Sequence, residues 1–205
     1  MNLFYSFLIS LLASIVAIVL TLLIQRIRLP RLEIKPEEEG GGYRNYEGKG
    51  RWKFLRVSVS NKQTPWVLRW GKIPRQTAEN CRAILEFSSS KDGALVVMRG
   101  RWISTPEIPH VARDGIIERV LYPDPVSILA GGKEILDVII QEENDSNAYG
   151  WNNEAYLNRW KTPKYKLSEG DYKVKINITT QNGVSFSDMF KLKVRKILEL
   201  TILEV

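Results

Sequence analysis

The N-terminal segment from Leu3 to Ile24 contains no charged residue, and this run constrains the chain more than any other feature. At a rise of about 1.5 Å per residue, a helix of this length crosses a hydrocarbon layer of about 30 Å. A secretory signal peptide normally has a basic start and a small-residue cleavage site, and both are missing from this sequence. A core helix normally carries a polar face, whereas this run has only three serines and one threonine. The sequence therefore predicts a transmembrane anchor.

The charges that flank the run predict its orientation. Met1 and Asn2 precede it, and four basic residues follow it closely: Arg26, Arg28, Arg31 and Lys35. Cytoplasmic flanks of membrane helices carry the excess of Lys and Arg. The single cysteine, Cys81, excludes an intrachain disulfide and fits a reducing compartment. We expect a single-pass membrane protein whose soluble part lies in the cytoplasm, with an extracellular location as the alternative.

The remainder of the chain is long enough for one domain with a core of its own. Its net charge is uneven: residues 40–113 carry +9, residues 114–157 carry −7 and residues 158–196 carry +7. A basic surface can attract nucleic acid or anionic lipid. For a domain held beside a membrane, lipid headgroups are the nearest anions. We therefore expect membrane lipid, and no nucleic acid, among the partners.

Alternation of apolar and polar residues with period two predicts strands along most of the remaining chain. Arg31–Lys35 alternates in this way, whereas Pro36–Gly50 holds five glycines and three adjacent glutamates, a composition typical of a flexible linker. The further predicted strands cover residues 55–60, 80–87, 94–98, 135–140, 172–178 and 186–194. Outside the anchor, Asn152–Trp160 is the one helix candidate.

These patterns predict an all-β fold, an immunoglobulin-like (Ig-like) antiparallel β-sandwich preceded by one transmembrane helix. The expected organisation is an anchor at 3–24, a juxtamembrane strand and Gly/Glu-rich linker at 25–50, and the sandwich domain at 51–205. Before its penultimate predicted strand lies the sequence Leu167-Ser168-Glu169-Gly170-Asp171-Tyr172. In Ig-like domains a tyrosine here bonds its hydroxyl to backbone a few residues upstream. The alternative is that Tyr172 is a buried strand aromatic.

Two short motifs, together with the tyrosine segment, carry a family resemblance. They are Val57-Ser58-Val59-Ser60-Asn61 and Ala78-Glu79-Asn80-Cys81-Arg82-Ala83. With them the chain resembles, over residues 1–195, a loose group of uncharacterised prokaryotic single-pass membrane proteins with an Ig-like β-sandwich domain. The stretch Arg69–Thr77, which is richer in charge, departs from the group's pattern. The resemblance implies the fold and carries over no activity.

Few residues could support catalysis or metal binding. His110 is the only histidine, and one His with one Cys makes no familiar zinc site. Cys81 could in principle pair with it as a nucleophile. However, Cys81 lies in phase with apolar strand residues, which indicates a small buried hydrophobe. We expect a protein that is not an enzyme and has no cofactor.

A cluster of oxygen-bearing side chains lies within and just after the 135–140 strand: Asp137, Glu142, Glu143, Asn144, Asp145 and Asn147. Such a cluster could hold Ca²⁺, but its spacing does not match the twelve-residue calcium loop. Paired carboxylates can also serve glycoside hydrolysis, although the sequence does not fix their separation. We expect a solvated turn at this position.

Six tryptophans are the unusual part of the composition. Flat exposed aromatics could form a carbohydrate platform, for which the candidates are Tyr149, Trp151, Tyr156 and Trp160. A second possibility is that Trp66 and Trp70, with Arg69 and Lys72 beside them, lie at the level of the lipid headgroups. The third is that most of these rings pack in the core.

The favoured function is a membrane-tethered binding or scaffolding module. Its partners would be membrane lipid, through Leu3–Ile24, and a protein partner or a second copy of the chain. The alternative is a carbohydrate-binding or adhesion domain that faces outward. The apolar C-terminal stretch, residues 197–205, is expected to extend the last strand or pack as an edge element, covered by Arg31–Lys35 or by a partner chain.

Overall fold

The structure, a computed structural model, describes residues 2–37, 43–46, 48, 50–66, 73–91, 93–106, 123–157, 160–196 and 199–202. Helix α1, Asn2–Arg28, is long and apolar enough by length and composition to cross a membrane, and its most apolar window is not buried in the protein. Ser14 and Thr21 donate their hydroxyls to carbonyls four residues back, at 2.9 and 2.8 Å. The helix thus satisfies these polar groups internally.

The described residues after α1 are mainly strands. In chain order they are β1 Leu32–Pro36, β2 Arg44–Tyr46, β3 Gly50–Asn61, β4 Ala78–Ser89, β5 Leu95–Arg99, β6 Arg101–Trp102, β7 Val126–Ile128, β8 Lys133–Glu142, β9 Ala148–Gly150, β10 Lys166–Leu167, β11 Gly170–Thr179, β12 Ser185–Val194 and β13 Glu199–Ile202. A short helix, α2 Asn153–Leu157, and a 3₁₀ turn, Pro163–Tyr165, lie between β9 and β10.

The strands form two antiparallel sheets. The first sheet has the order β1-β3-β8-β9-β10, with β2 beside β3 and β6 beside β8. The second has the order β13-β12-β11-β4-β5, with β7 beside β4. The predicted all-β architecture with one N-terminal apolar helix is therefore confirmed.

The main core lies between the two sheets. Every second residue of β4 and of β11 is buried, as the period-two pattern predicted: Cys81, Ala83, Leu85, Phe87, Tyr172, Val174, Ile176 and Ile178. Val57 and Val59 of β3 belong to the same core. The Tyr172 hydroxyl donates to the Ser168 carbonyl at 2.8 Å, which is the bond expected of a tyrosine corner.

A β-bulge shapes the centre of the first sheet. The register between β3 and β8 shifts between Leu55, which pairs with Ile139, and Arg56, which pairs with Asp137. Val138 is therefore the extra residue, and both Val138 and Ile139 join the main core. The bulge leaves Asp137 directly opposite Arg56 on the outer face.

The C-terminal segment packs as an edge element, but it does not continue β12. The chain reverses, and β13 pairs antiparallel with β12, with Glu199 opposite Lys193. An ion pair of 2.9 Å between these two side chains joins the strands. β13 also contacts the juxtamembrane strand β1. The reversal protects the otherwise open edge of β12, which a continuation would have lengthened.

Two sequence expectations differ in detail from the structure. The predicted linker Pro36–Gly50 contains a strand, β2, which pairs with the start of β3. The helix predicted over 152–160 is described as α2, Asn153–Leu157, and Trp160 is not helical. Its start is capped by the Asn152 side chain, which accepts the Ala155 N–H at 2.9 Å.

Candidate functional site

The four aromatic residues predicted as a ligand surface are brought together, but inside the protein. Trp151 and Trp160 are 3% and 6% exposed, Tyr149 is buried and Tyr156 is half-buried. They form a second hydrophobic cluster with residues of β2, β3, β8 and α2: Tyr46, Trp52, Phe54, Ile140 and Ala155. The expectation of an exposed platform is therefore wrong for Trp151 and Trp160, because α2 and its neighbours cover the outer face of the first sheet here.

The rings of this cluster meet edge to face. The Trp160 ring lies 5.0 Å from that of Trp151 and 5.2 Å from that of Trp52, and Phe54 meets Trp151 at 5.5 Å and 88°. Such edge-to-face contacts stabilise the folded protein beyond what burial of the ring surfaces contributes. Trp160 has a φ of 73°, a left-handed conformation that is unfavourable for a bulky residue and is held by its surroundings.

Asp137, predicted to belong to a solvated acidic cluster, is instead buried between two arginines. Its Oδ1 accepts from Arg56 Nε at 3.0 Å, and its Oδ2 accepts from Arg101 Nη1 at 3.1 Å. Burial raises the pKa of Asp137, and the two guanidinium groups oppose that rise. The Arg56 guanidinium also lies 5.1 Å from the Phe54 ring centroid. This triad joins β3, β6 and β8 on the outer face of the first sheet.

The other acidic side chains of that cluster form ion pairs. Lys161 Nζ lies 2.5 Å from Glu142 and 2.9 Å from Asp145, and Arg51 pairs with Glu143 at 2.6 Å. Burial alone would lower the pKa of Lys161, but its two hydrogen-bonded carboxylates raise it above its ordinary value. Within the described ranges, no group of three His, Cys, Asp or Glu side chains is placed to hold a metal ion.

Cys81 is a free, fully buried thiol in the main core, as its phase predicted. Burial raises its pKa to about 11, so the thiol stays protonated at neutral pH. Its backbone carbonyl accepts the indole N–H of Trp102 at 3.1 Å. His110, the other half of the tested pair, lies outside the described residues.

Of the residues considered for the headgroup region, Trp66 is 68% exposed. Trp70, Arg69 and Lys72 lie outside the described residues. Leu129 is also largely exposed. Its carbonyl accepts the Gly132 N–H at 2.8 Å, and the Gln63 side chain lies beside Gly131 of the same turn.

The outer face of the second sheet, called here the open face, carries apolar and basic side chains. Leu95 and Val97 of β5 are 61% and 48% exposed, and Ile84 and Met189 are also exposed. The register places these residues in rows with exposed cations on β4, β5, β11 and β12: Arg82, Arg99, Lys173, Lys175 and Lys191. Glu86, opposite Lys175, accepts a hydrogen bond from Asn177 at 3.0 Å.

A cleft of about 430 Å³ borders the open face, between β5 and the α2 region. Val97 and Arg99 line one side, and Glu154 and Tyr165 line the other. The Glu154 carboxylate accepts the Tyr165 hydroxyl at 2.6 Å and lies 3.3 Å from Lys164 Nζ. These polar groups bind one another at the cleft wall.

Sequence reasoning missed the open face, although a signal was present. Ile84 and Val97 occupy the outward phase of their strands, where an isolated sandwich normally carries polar residues.

Comparisons of the chain with protein-family models, with curated proteins and with solved structures found no match.

Proposed function

We propose that this chain is a single-pass membrane protein whose Ig-like domain binds a protein partner on the open face. The strand orders β1-β3-β8 and β12-β11-β4-β5 support the Ig-like assignment, because they correspond to strands A-B-E and G-F-C-C′ of that fold. The Tyr172 hydrogen bond, at the start of the strand that corresponds to F, supports it as well. The resemblance to prokaryotic single-pass membrane proteins agrees with this proposal.

The anchor in this proposal is α1. Its side chains are exposed from Phe4 to Arg26, and its most apolar stretch is not buried in the protein. A soluble domain would hide such a surface, whereas a bilayer would cover it. The arginines at its C-terminal end favour a cytoplasmic domain.

The open face carries the proposed binding function. Exposed apolar side chains in a flat sheet face supply area for a protein contact. The surrounding lysines and arginines favour a partner with acidic residues, because complementary charge directs association. A second copy placed face to face would bring the same cations together, so we propose a different protein as the partner.

The tether is tested by extraction and labelling of the full chain. Membranes washed with alkaline carbonate should retain the protein, and its appearance in the supernatant would refute the anchor. A cysteine introduced at the exposed Ser90 should resist a membrane-impermeant maleimide in intact cells and react after lysis. The buried Cys81 supplies the unreactive background. Labelling in intact cells would place the domain outside.

The open face is tested by photo-crosslinking in membranes. A photoreactive amino acid at Val97 should give a protein adduct, and the same group at Lys133, on the first sheet and half exposed, should not. Lys175→Glu with Lys191→Glu should lower the Val97 adduct by about tenfold, since the charges would then repel an acidic partner. An adduct with a second copy of this chain, or equal adducts from both positions, would contradict the proposal.

A further inference from the structure

The helix α1 is fastened to the domain at the point where it ends. The Arg28 carbonyl accepts the Gln76 N–H at 2.7 Å. Three residues later, the Arg31 N–H donates to the Asn61 side chain at 3.1 Å, and the Arg31 carbonyl accepts the Lys62 N–H at 2.9 Å. The exit of the helix is thus held by two separate segments of the domain.

Asn61 organises this junction. It is fully buried, and its amide donates to the Gln76 carbonyl at 3.0 Å and to the Ile128 carbonyl at 3.1 Å. Its backbone carbonyl accepts the Gly131 N–H at 2.6 Å. These bonds place the segment that contains Arg75 directly against the end of α1.

The junction concentrates positive charge without carboxylate partners. Arg28 and Arg31 are exposed and Arg75 is half-buried, and within the part of the chain that the structure describes none of the three forms an ion pair. The neighbouring Lys62, by contrast, pairs with Glu33 at 2.9 Å. Arg75 Nε is buried and has no hydrogen-bond acceptor among the residues that the structure describes. Burial lowers the pKa of Arg75, and the nearby charge of Arg31 lowers it further.

We propose that Arg28, Arg31 and Arg75 bind the phosphate of an anionic phospholipid headgroup. The inference rests on the proposed insertion of α1, because the helix then brings its last residue to headgroup depth. Guanidinium groups suit phosphate through paired N–H donors. The exposed Leu129 directly follows Ile128, whose carbonyl accepts from the Asn61 amide, and the exposed Trp66 lies four residues after Lys62 in the chain. Tryptophan is enriched at the membrane–water interface. A lipid bound here would offset the repulsion between Arg31 and Arg75.

The experiment uses the full chain in detergent, equilibrated with equal amounts of phosphatidylglycerol and phosphatidylcholine, with bound lipid counted by native mass spectrometry. The unaltered chain should retain phosphatidylglycerol preferentially. Because a basic residue at an anionic lipid surface contributes about fivefold in affinity, Arg31→Gln with Arg75→Gln should lower this preference by about 25-fold. The matched control, Arg44→Gln with Lys166→Gln, removes two exposed charges from β2 and β10 and should leave it unchanged.

Each outcome bears on a separate claim. Equal retention of the two lipids by a chain that resists carbonate extraction would overturn the headgroup site alone, and release by carbonate would refute insertion of α1. Displacement of phosphatidylglycerol by millimolar inorganic phosphate would show a site for soluble phosphate and overturn the lipid assignment. Circular dichroism of the double variant should match the unaltered chain, and an unfolded variant would assign the arginines a structural role instead.

Discussion

Replacing Asp137 by asparagine is expected to lower the free energy of unfolding by about 3–5 kcal/mol, the range found when one member of a buried ion pair is removed. The substitution keeps the size of the side chain but removes its charge. Arg101 is buried and would lose its counter-charge, and one guanidinium would face an amide N–H₂ instead of an oxygen. The loss of stability would therefore come from the arginines left without a counter-charge and not from a change in packing.

Glu143→Gln is the matched control, because Glu143 pairs with Arg51 at 2.6 Å while both side chains remain partly exposed. Exposed pairs contribute about 0–1 kcal/mol, so this variant should unfold almost as the unaltered chain does. Urea unfolding of the full chain in detergent, followed by tryptophan fluorescence, gives the free energy of unfolding of each variant. Equal losses of unfolding free energy in the two variants would show that the buried Asp137 triad contributes no more to stability than an exposed ion pair.

Trp151→Ala should cost about 3–5 kcal/mol of stability, the usual range for emptying a buried tryptophan site. Its ring contacts Phe54, Tyr156 and Trp160 at centroid distances of 5.0 to 5.9 Å, so the substitution removes the centre of the outer aromatic cluster. Because α2 packs on that cluster, we expect the backbone amides of α2 to lose protection from hydrogen exchange as the free energy of unfolding falls.

Trp66→Ala is the control for this substitution, since Trp66 is largely exposed and its removal should change stability by less than about 0.5 kcal/mol. Thermal unfolding of the two variants under identical detergent conditions makes the comparison. A Trp151→Ala protein that unfolds within 1 °C of the unaltered chain would mean that the cluster is not a second core.

Local patterns predicted much of the fold. The alternation of Leu32–Lys35 and of Cys81–Phe87 identified strands because one face of each is buried against the other sheet. The bond of Tyr172 was predictable because its acceptor, the Ser168 carbonyl, lies only four residues upstream. These features depend on residues close in sequence, so a single chain carries the information.

The errors arose where distant segments decide the environment. Asp137 and Glu142 are near in sequence, but the bulge at Val138 turns Asp137 toward Arg56 and Arg101, and neither arginine is adjacent in the chain. The burial of Trp151 depends on its packing against Phe54 of β3, which lies far from it in the chain. The position of β13 likewise involves a contact with β1, from the other end of the domain's sequence.

The short connection between α1 and β1 bears on how a partner would be found. Leu29 to Arg31 can extend by about 10 Å at most, and the hydrogen bonds of Arg28 to Gln76 and of Arg31 to Asn61 and Lys62 shorten that reach further. Once α1 is in a bilayer, the domain cannot sample the aqueous volume, and encounters with another membrane-bound protein become a two-dimensional search at a raised effective concentration. Contacts that are weak between purified molecules in solution would then be sufficient at the membrane.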